Sequence, residues 1–238
     1  MHRADDVTSD FAIAPTVTTI PVAGTDTVFP VARVYCIGRN YAEHAIEMGH
    51  DPDREPPFFF MKPADAVVPT GSTLAFPVQT EDLHHEIELV VALGEGGRDI
   101  SVDDALEHVY GYAVGLDMTR RDIQAVAKKA GRPWDMAKGF DESAPCSPIR
   151  TVQDVGHPDA GDIWLKINDE TRQQGNLDQQ IWKVPEAIAY LSSLVTLRAG
   201  DLIMTGTPAG VGRVEPGDRL EGHIDDVGDL SVSYENQE

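Results

Sequence analysis

Apolar residues in this chain fall mostly into short runs and period-two alternations, with few stretches at helical spacing. The longest run, Leu83-His84-His85-Glu86-Ile87-Glu88-Leu89-Val90-Val91-Ala92-Leu93, predicts a single strand covered on both faces. Residues 34–38, 58–62 and 112–116 predict further strands, the second delivering Lys62 to its end. Residues 1–30, broken by Pro15, Pro21 and Pro30, read as one or two short strands and loops, and Thr70-Gly71-Ser72 as a turn. From 161 onward the pattern is again mostly β. Asp162-Ile163-Trp164-Leu165-Lys166-Ile167 alternates before a turn at Asn168-Asp169-Glu170, 201–204 runs into a glycine-rich loop, and 218–234 reads as two strands. Helices are predicted over 41–48, between an Asn40 cap and a Gly49 stop, and from Ser101 with acids in the first turn. Two more are predicted over 118–129 and within 184–197, where Pro185 sits near the first position; 134–141 reads as a loop or short strand.

A chain of 238 residues with 41% hydrophobic content can bury one large core, and the pattern suggests an N-terminal extension over 1–30 and one domain over 31–238. No apolar run approaches the roughly 18 residues of a membrane span, and the first residues lack an apolar signal core, so a cytoplasmic location is expected. Cys36 and Cys146 form no disulfide framework and no CxxC pattern; both are expected to be small buried residues. Charge changes the picture more. The formal net of −21 argues against nucleic acid and anionic membranes as partners. Yet six of the 19 basic residues, Arg120, Arg121, Lys128, Lys129, Arg132 and Lys138, fall between 120 and 138, a local positive field that suits a small anionic ligand.

Glu86 and Glu88 are two apart on the apolar run, so a strand points both to one side. Held together and desolvated, two carboxylates repel, and a hard divalent cation relieves this; an exposed polar strand face is the plainer alternative. Asp117, closing the 112–116 run, offers a third carboxylate. On the 41–48 helix His44 and Glu47 are neighbours at i, i+3, which suits an oriented general base or an ordinary solvated pair. Arg121 and Gln124 share a face in the same way. Lys138 among apolar neighbours implies a depressed pKa or an anionic partner, and Lys62 an anion contact or a strand-end residue reaching for water. The loop Thr205-Gly206-Thr207-Pro208-Ala209-Gly210-Val211-Gly212 offers backbone N–H groups to a carboxylate, or simply turns the chain. Gly94-Glu95-Gly96-Gly97 lacks the strand–GxGxxG–helix setting of a nucleotide site.

Several of these pieces occur in one order. Gly38-Arg39-Asn40-Tyr41 with His44 and Glu47, Phe60-Met61-Lys62-Pro63, His84-His85-Glu86-Ile87-Glu88, Leu116-Asp117-Met118-Thr119, Ala137-Lys138-Gly139-Phe140-Asp141 and the 205–212 loop together resemble the fumarylacetoacetate hydrolase family over roughly residues 30–235. Within it, Phe58-Phe59-Phe60-Met61-Lys62-Pro63-Ala64-Asp65 and Leu93-Gly94-Glu95-Gly96-Gly97-Arg98-Asp99-Ile100 resemble the acylpyruvate-cleaving branch. The resemblance implies an α+β, β-rich fold: a mixed β-sheet roll or barrel with a few peripheral helices. It also implies a homodimer and an Mg²⁺ or Mn²⁺ ion on Glu86, Glu88 and Asp117. His44 and Glu47 become the pair that activates water, Lys138 a catalytic cation, and Arg121, Gln124 and Thr207 substrate contacts. The implied activity is cleavage of the carbon–carbon bond of an acylpyruvate, foremost fumarylpyruvate to fumarate and pyruvate in gentisate breakdown. The second carboxylate would then meet Arg39 or Lys62. General acylpyruvate hydrolysis or oxaloacetate decarboxylation is the alternative; isomerisation, hydration or a binding-only role stands further off.

Overall fold

The computed structural model describes residues 12–43 and 55–236. The alternation of the longest apolar run decides the architecture. Ile87–Leu93 is the centre of an eight-stranded mixed sheet, and both its faces are covered. Leu89, Val91 and Leu93 enter one core, while Val90 and Ala92 enter another, as the two-residue period requires. Along this sheet the neighbours run Phe58–Lys62, Arg33–Gly38, Asp201–Met204, Ile87–Leu93, Val109–Leu116, Ala144–Cys146 and Val67–Pro69, with Arg150–Thr151 also pairing Val109–Leu116. Two of these pairings are parallel, Asp201–Met204 with Arg33–Gly38 and Ala144–Cys146 with Val67–Pro69.

A five-stranded sheet closes over the larger core. Its order is Glu170–Asn176, Asp162–Ile167, Arg219–Ile224, Gly228–Tyr234 and Thr73–Leu74. Its alternating Ile163, Leu165, Leu220, Ile224, Leu230 and Val232 meet Leu89, Val91, Val114 and Leu116. The Val184–Leu194 helix, with proline in its first turn, adds Ala187, Ile188 and Leu191 to that core. This is the mixed, curled β fold with peripheral helices that the family resemblance implies. Both cysteines are buried and free. Among the described residues no helix is long and apolar enough to cross a membrane. Strands Thr19–Pro21 and Val28–Pro30 form a hairpin whose Ile20 and Phe29 enter the smaller core.

Four local expectations are corrected. The 83–93 run is two strands: Leu83–His85 belongs to a three-stranded sheet with Thr119–Arg120 and Gly212–Val214, and the chain passes into the large sheet at Glu86. The helix expected over 118–129 begins only at Arg121, because Thr119–Arg120 pairs with Leu83–His85 instead. The segment read as a loop or strand over 134–141 holds a one-turn helix, Asp135–Lys138, and the helix expected from Ser101 is reduced to a 3-10 turn, Ala105–His108. Most of the helix expected over 41–48 lies outside the described residues; its expected cap, Asn40, lies within them. The Asn40 amide accepts from Trp182 N–H at 2.7 Å and donates to Trp182 O and Thr205 O at 2.9 and 2.8 Å, tying two distant loops together.

Candidate metal centre and substrate pocket

Three carboxylates meet where the chain changes sheet. Glu88 lies on the even-numbered face of Ile87–Leu93, so it points to the side of the smaller core, and Glu86 precedes it by one period. Asp117 follows the neighbouring Val109–Leu116 strand, and its N–H donates to Glu86 O at 2.8 Å, which fixes the two residues opposite each other. One carboxylate oxygen from each of Glu86, Glu88 and Asp117 lies within 4.8 Å of the others, and all three residues are buried. Gly115 stands opposite Glu88, where a Cβ would come 2.5 Å from Val90 Cγ2, so this approach of the strands requires glycine.

Cations surround two of the three acids. Lys138, on the last position of its short helix, donates to Glu86 Oε2 at 2.9 Å and to Asp117 Oδ2 at 2.6 Å. Burial alone would lower this ammonium, but Asp117 and Glu86 beside it raise it, so of the two expectations the anionic partner holds and the depressed pKa does not. Arg121 donates to Glu86 Oε1 at 2.6 Å and to Gln124 Oε1 at 2.8 Å, the i, i+3 contact the spacing predicts. Lys62 is fully buried beneath the cluster, 2.8 Å from Asp117 Oδ1, and also donates to Met118 O and Lys138 O.

Glu88 differs. Among the described residues no lysine or arginine pairs with it, and its Oε2 accepts from Gly206 N–H at 2.7 Å. Burial, followed by the charges of Asp117 and Glu86, pushes its carboxyl well above the usual range. Gly206 can make this contact because its φ is +93°, a left-handed conformation, with Asn40 packed where a side chain would go. Asp117 Oδ1 has an ion contact with Lys62 but accepts no directed hydrogen bond. A buried acid that no lysine or arginine among the described residues pairs, within reach of two more carboxylates, is what a bound cation would complete. With three hard oxygen donors and no thiolate or imidazole among them, the set fits Mg²⁺ or Mn²⁺ better than Zn²⁺.

Residues behind the cluster hold it in place. His84 Nε2 bonds Asp82 Oδ1 at 2.9 Å while its Nδ1 accepts from Arg121 Nε at 3.3 Å; burial and then Arg121 lower this imidazole. His85 is buried and pushed down to about 4, burial being the main cause. Its Nδ1 meets Gln173 Oε1 at 2.9 Å, the oxygen that also accepts from Ile87 N–H at 3.0 Å just past the sheet change. The Gln173 amide donates to Thr207 Oγ1 at 2.7 Å and Pro208 O at 2.8 Å. Gln173 thus joins three sheets and the glycine-rich loop, and the polar stretch Glu170-Thr171-Arg172-Gln173-Gln174 carries no sign of it.

Above the carboxylates opens a pocket lined by Arg39, Phe58, Phe60, Glu86, Glu88, Arg121, Gln124, Lys128, Trp134, Lys138 and Thr207, among others. Phe58 and Phe60 pack against Trp134 with ring centroids 5.5 and 5.8 Å apart, forming an apolar wall. Of the two candidates for a second carboxylate, Arg39 lines the pocket and Lys62 lies beneath it, committed to Asp117. Lys128 lines it too, and its spacing from Arg121 and Gln124 was the available signal. His44 and Glu47 lie outside the described residues.

Residues 33–233 match the C-terminal domain of fumarylacetoacetate hydrolase, and the chain belongs to that family. The fumarylpyruvate hydrolase of Pseudomonas aeruginosa, solved in complex with Mn²⁺ and pyruvate, is 55% identical; it covers 96% of this chain and is itself covered completely, with a TM-score of 0.93. The mitochondrial oxaloacetate tautomerase FAHD1 of Mus musculus is 42% identical over 206 residues, 87% of this chain and 93% of that protein. The mitochondrial oxaloacetate decarboxylase of Dictyostelium discoideum is 42% identical over 189 residues, 78% and 85% respectively. The chain is accordingly an enzyme, a hydrolase of carbon–carbon bonds.

Proposed function

We propose that this enzyme hydrolyses acylpyruvates in a metal-dependent reaction, with fumarylpyruvate, giving fumarate and pyruvate, as its substrate. The observation that carries the reading is Glu88, a buried carboxylate that among the described residues no lysine or arginine pairs, beside two that have such partners, in a pocket that Arg39, Arg121, Lys128 and Lys138 also line. The 55% identity to a fumarylpyruvate hydrolase supports the choice of substrate. Glu86, Glu88 and Asp117 would hold Mg²⁺ or Mn²⁺. Such an ion supplies Lewis acidity toward the oxygens of a 2-oxo acid.

The chain's own groups do the rest. His44, oriented by Glu47, takes a proton from water as the oxygen adds to the acyl carbonyl. Collapse breaks the bond between that carbon and the methylene, and the electron pair leaves as the enolate of pyruvate, which is protonated on carbon. The Lys138 ammonium, held charged by Asp117 and Glu86, faces the negative charge that develops. Arg121 and Gln124, already bonded to each other, and Thr207, fixed by Gln173, would orient the substrate carboxylate. The reading carries with it a homodimer acting on a small molecule, which light scattering would check.

A second reading, oxaloacetate tautomerisation or decarboxylation, is favoured by the activities of the mouse and Dictyostelium relatives. Both rest on an enolate, but only hydrolysis needs an activated water. Protein with Mn²⁺ should therefore be given fumarylpyruvate, acetylpyruvate and oxaloacetate, and the products identified by NMR. Fumarate and pyruvate should form fastest, and His44→Ala should slow hydrolysis by roughly 10²–10⁴ while retaining metal affinity. Turnover of oxaloacetate alone would put the second reading first.

A further inference from the structure

A buried amide behind the glycine-rich loop has only one orientation open to it. Gln173 is fully buried on the strand Glu170–Asn176, whose other positions are exposed or half-buried. Two backbone groups, one at each end of its side chain, settle which way the amide faces. Ile87 N–H can only donate, so the atom 3.0 Å from it is the oxygen. Pro208 O can only accept, so the atom 2.8 Å from it is the nitrogen. Turned end for end, the amide would set donor against donor at Ile87 and acceptor against acceptor at Pro208. The loop that carries Pro208 is also pressed onto this strand. A Cβ at Gly175 would come 2.7 Å from Pro208 Cβ, and one at Gly210 would run into Arg172 O.

Two neighbours take their proton positions from this amide. Gln173 Oε1 accepts, so His85 Nδ1, 2.9 Å away, carries a proton and donates it. Gln173 Nε2 donates its second N–H to Thr207 Oγ1 at 2.7 Å, which occupies that side of the hydroxyl and sends the hydroxyl's own proton elsewhere. Among the described residues the Thr207 hydroxyl donates to no group, and Thr207 lines the pocket over the carboxylates. We infer that Gln173 is a positioning residue that sets specificity: it makes Thr207 a one-way hydrogen-bond donor toward the substrate. Gln173 itself touches no substrate atom. This rests on the reading above and deepens it, because the group that meets Thr207 must then be an oxygen with a lone pair to offer, such as a carboxylate or an enolate. A free hydroxyl serves either as donor or as acceptor. Held by Gln173, it sets proton against proton when a ligand N–H faces it, and it spares an anionic ligand the cost of turning it.

A double-mutant cycle read by binding tests this without turnover. The probe is pyruvate, titrated by calorimetry into the Mn²⁺-loaded protein. Thr207→Val should weaken it roughly 10–100-fold, the worth of one hydrogen bond to a charged acceptor, and Thr207→Ser should stay within about threefold of wild type. Gln173→Glu keeps an acceptor for Ile87 N–H but puts a carboxylate oxygen where the donor stood, so the Thr207 proton turns inward and is lost to the ligand. Its added charge also repels pyruvate, but equally whether residue 207 carries a hydroxyl or not. Gln173→Glu should therefore weaken pyruvate at least about tenfold more in the wild-type background than in the Thr207→Val background. Gln173→Met adds no charge and should couple in the same sense by at least about threefold. A merely structural role predicts equal losses in both backgrounds, and that result overturns the proposal. So does pyruvate binding that Thr207→Val leaves intact. Coupling in a protein that fails to cleave fumarylpyruvate would instead sink the hydrolase reading and leave the role of Gln173 standing.

Discussion

Lys62→Met tests the charge ledger of the metal centre, because it should move two measurable quantities in opposite directions. In the wild type three carboxylates, Glu86, Glu88 and Asp117, face three cations, Lys62, Lys138 and Arg121. Methionine preserves the length and bulk of the stem, so packing is little disturbed. What is lost is the 2.8 Å contact with Asp117 Oδ1 and the donors to the carbonyls of Met118 and Lys138, all fully buried. Breaking a buried ion pair costs about 3–5 kcal/mol, which for a chain of this size is a fall in Tm of roughly 6–20 °C in the presence of EDTA. A divalent ion should gain by the same change. One positive charge a few ångströms away opposes it by up to several kcal/mol at an effective dielectric of about 20, and ligand binding raises stability by mass action. Melting curves with EDTA and with a fixed excess of MnCl₂ therefore give both numbers. The variant should start lower than wild type and rise further with Mn²⁺. An unchanged Tm in EDTA, or a smaller metal-induced rise, would refute the ledger.

Glu88→Gln should raise Tm in EDTA, since it removes a buried acid that Asp117 and Glu86 repel and that no lysine or arginine among the described residues pairs, and should weaken Mn²⁺ binding by calorimetry at least tenfold, in keeping with the loss of a charged ligand. Lower stability together with undiminished Mn²⁺ affinity would exclude Glu88 as a ligand. Gln173→Leu leaves Ile87 N–H without its acceptor and frees Thr207, and two or more orphaned buried groups imply a loss of about 2–6 kcal/mol in urea unfolding; a loss below about 1 kcal/mol would show that water replaces the amide. His223 gives a pH dependence. Burial alone would lower it, but its hydrogen bonds to Asp229 at 2.7 Å and Asp225 at 3.2 Å outweigh this and raise it. A raised folded-state value means that the stabilisation is complete below about pH 6.5 and fades as pH rises through the folded value. His223→Gln should thus lower the urea midpoint near pH 5.5 and leave it close to wild type near pH 9; a gap that widens with pH would contradict the assignment.

Sequence periodicity made much of this legible because it is local. The even-numbered carboxylates Glu86 and Glu88, the Arg121–Gln124 pair and the hairpin at 168–169 each depend on neighbours a few residues away, and each lies where the spacing puts it. What escaped depends on distant partners. The sheet change at Glu86 is stabilised by Gln173, 87 residues beyond Ile87's predecessor, and nothing near either residue announces the other. Lys62 reads as a strand-end cation until Asp117 and the carbonyl of Lys138 close over it. The one-turn helix at Asp135–Lys138 is too short to show a helical period. Lys128 was within reach of the spacing argument, since it continues the face of Arg121 and Gln124.

The parity of the Ile87–Leu93 strand also constrains how this chain can change length. Odd positions fill one core and even positions the other, and the acids belong to the even set. Substitution at Leu89 or Val91 alters packing in the larger core but leaves the carboxylates where they are. Removing or adding one residue between Glu88 and Leu93 reverses the allotment. The acids would swing toward Leu165 and Leu220, and leucines would face the pocket. Deletion scanning should therefore find this segment intolerant of single-residue indels.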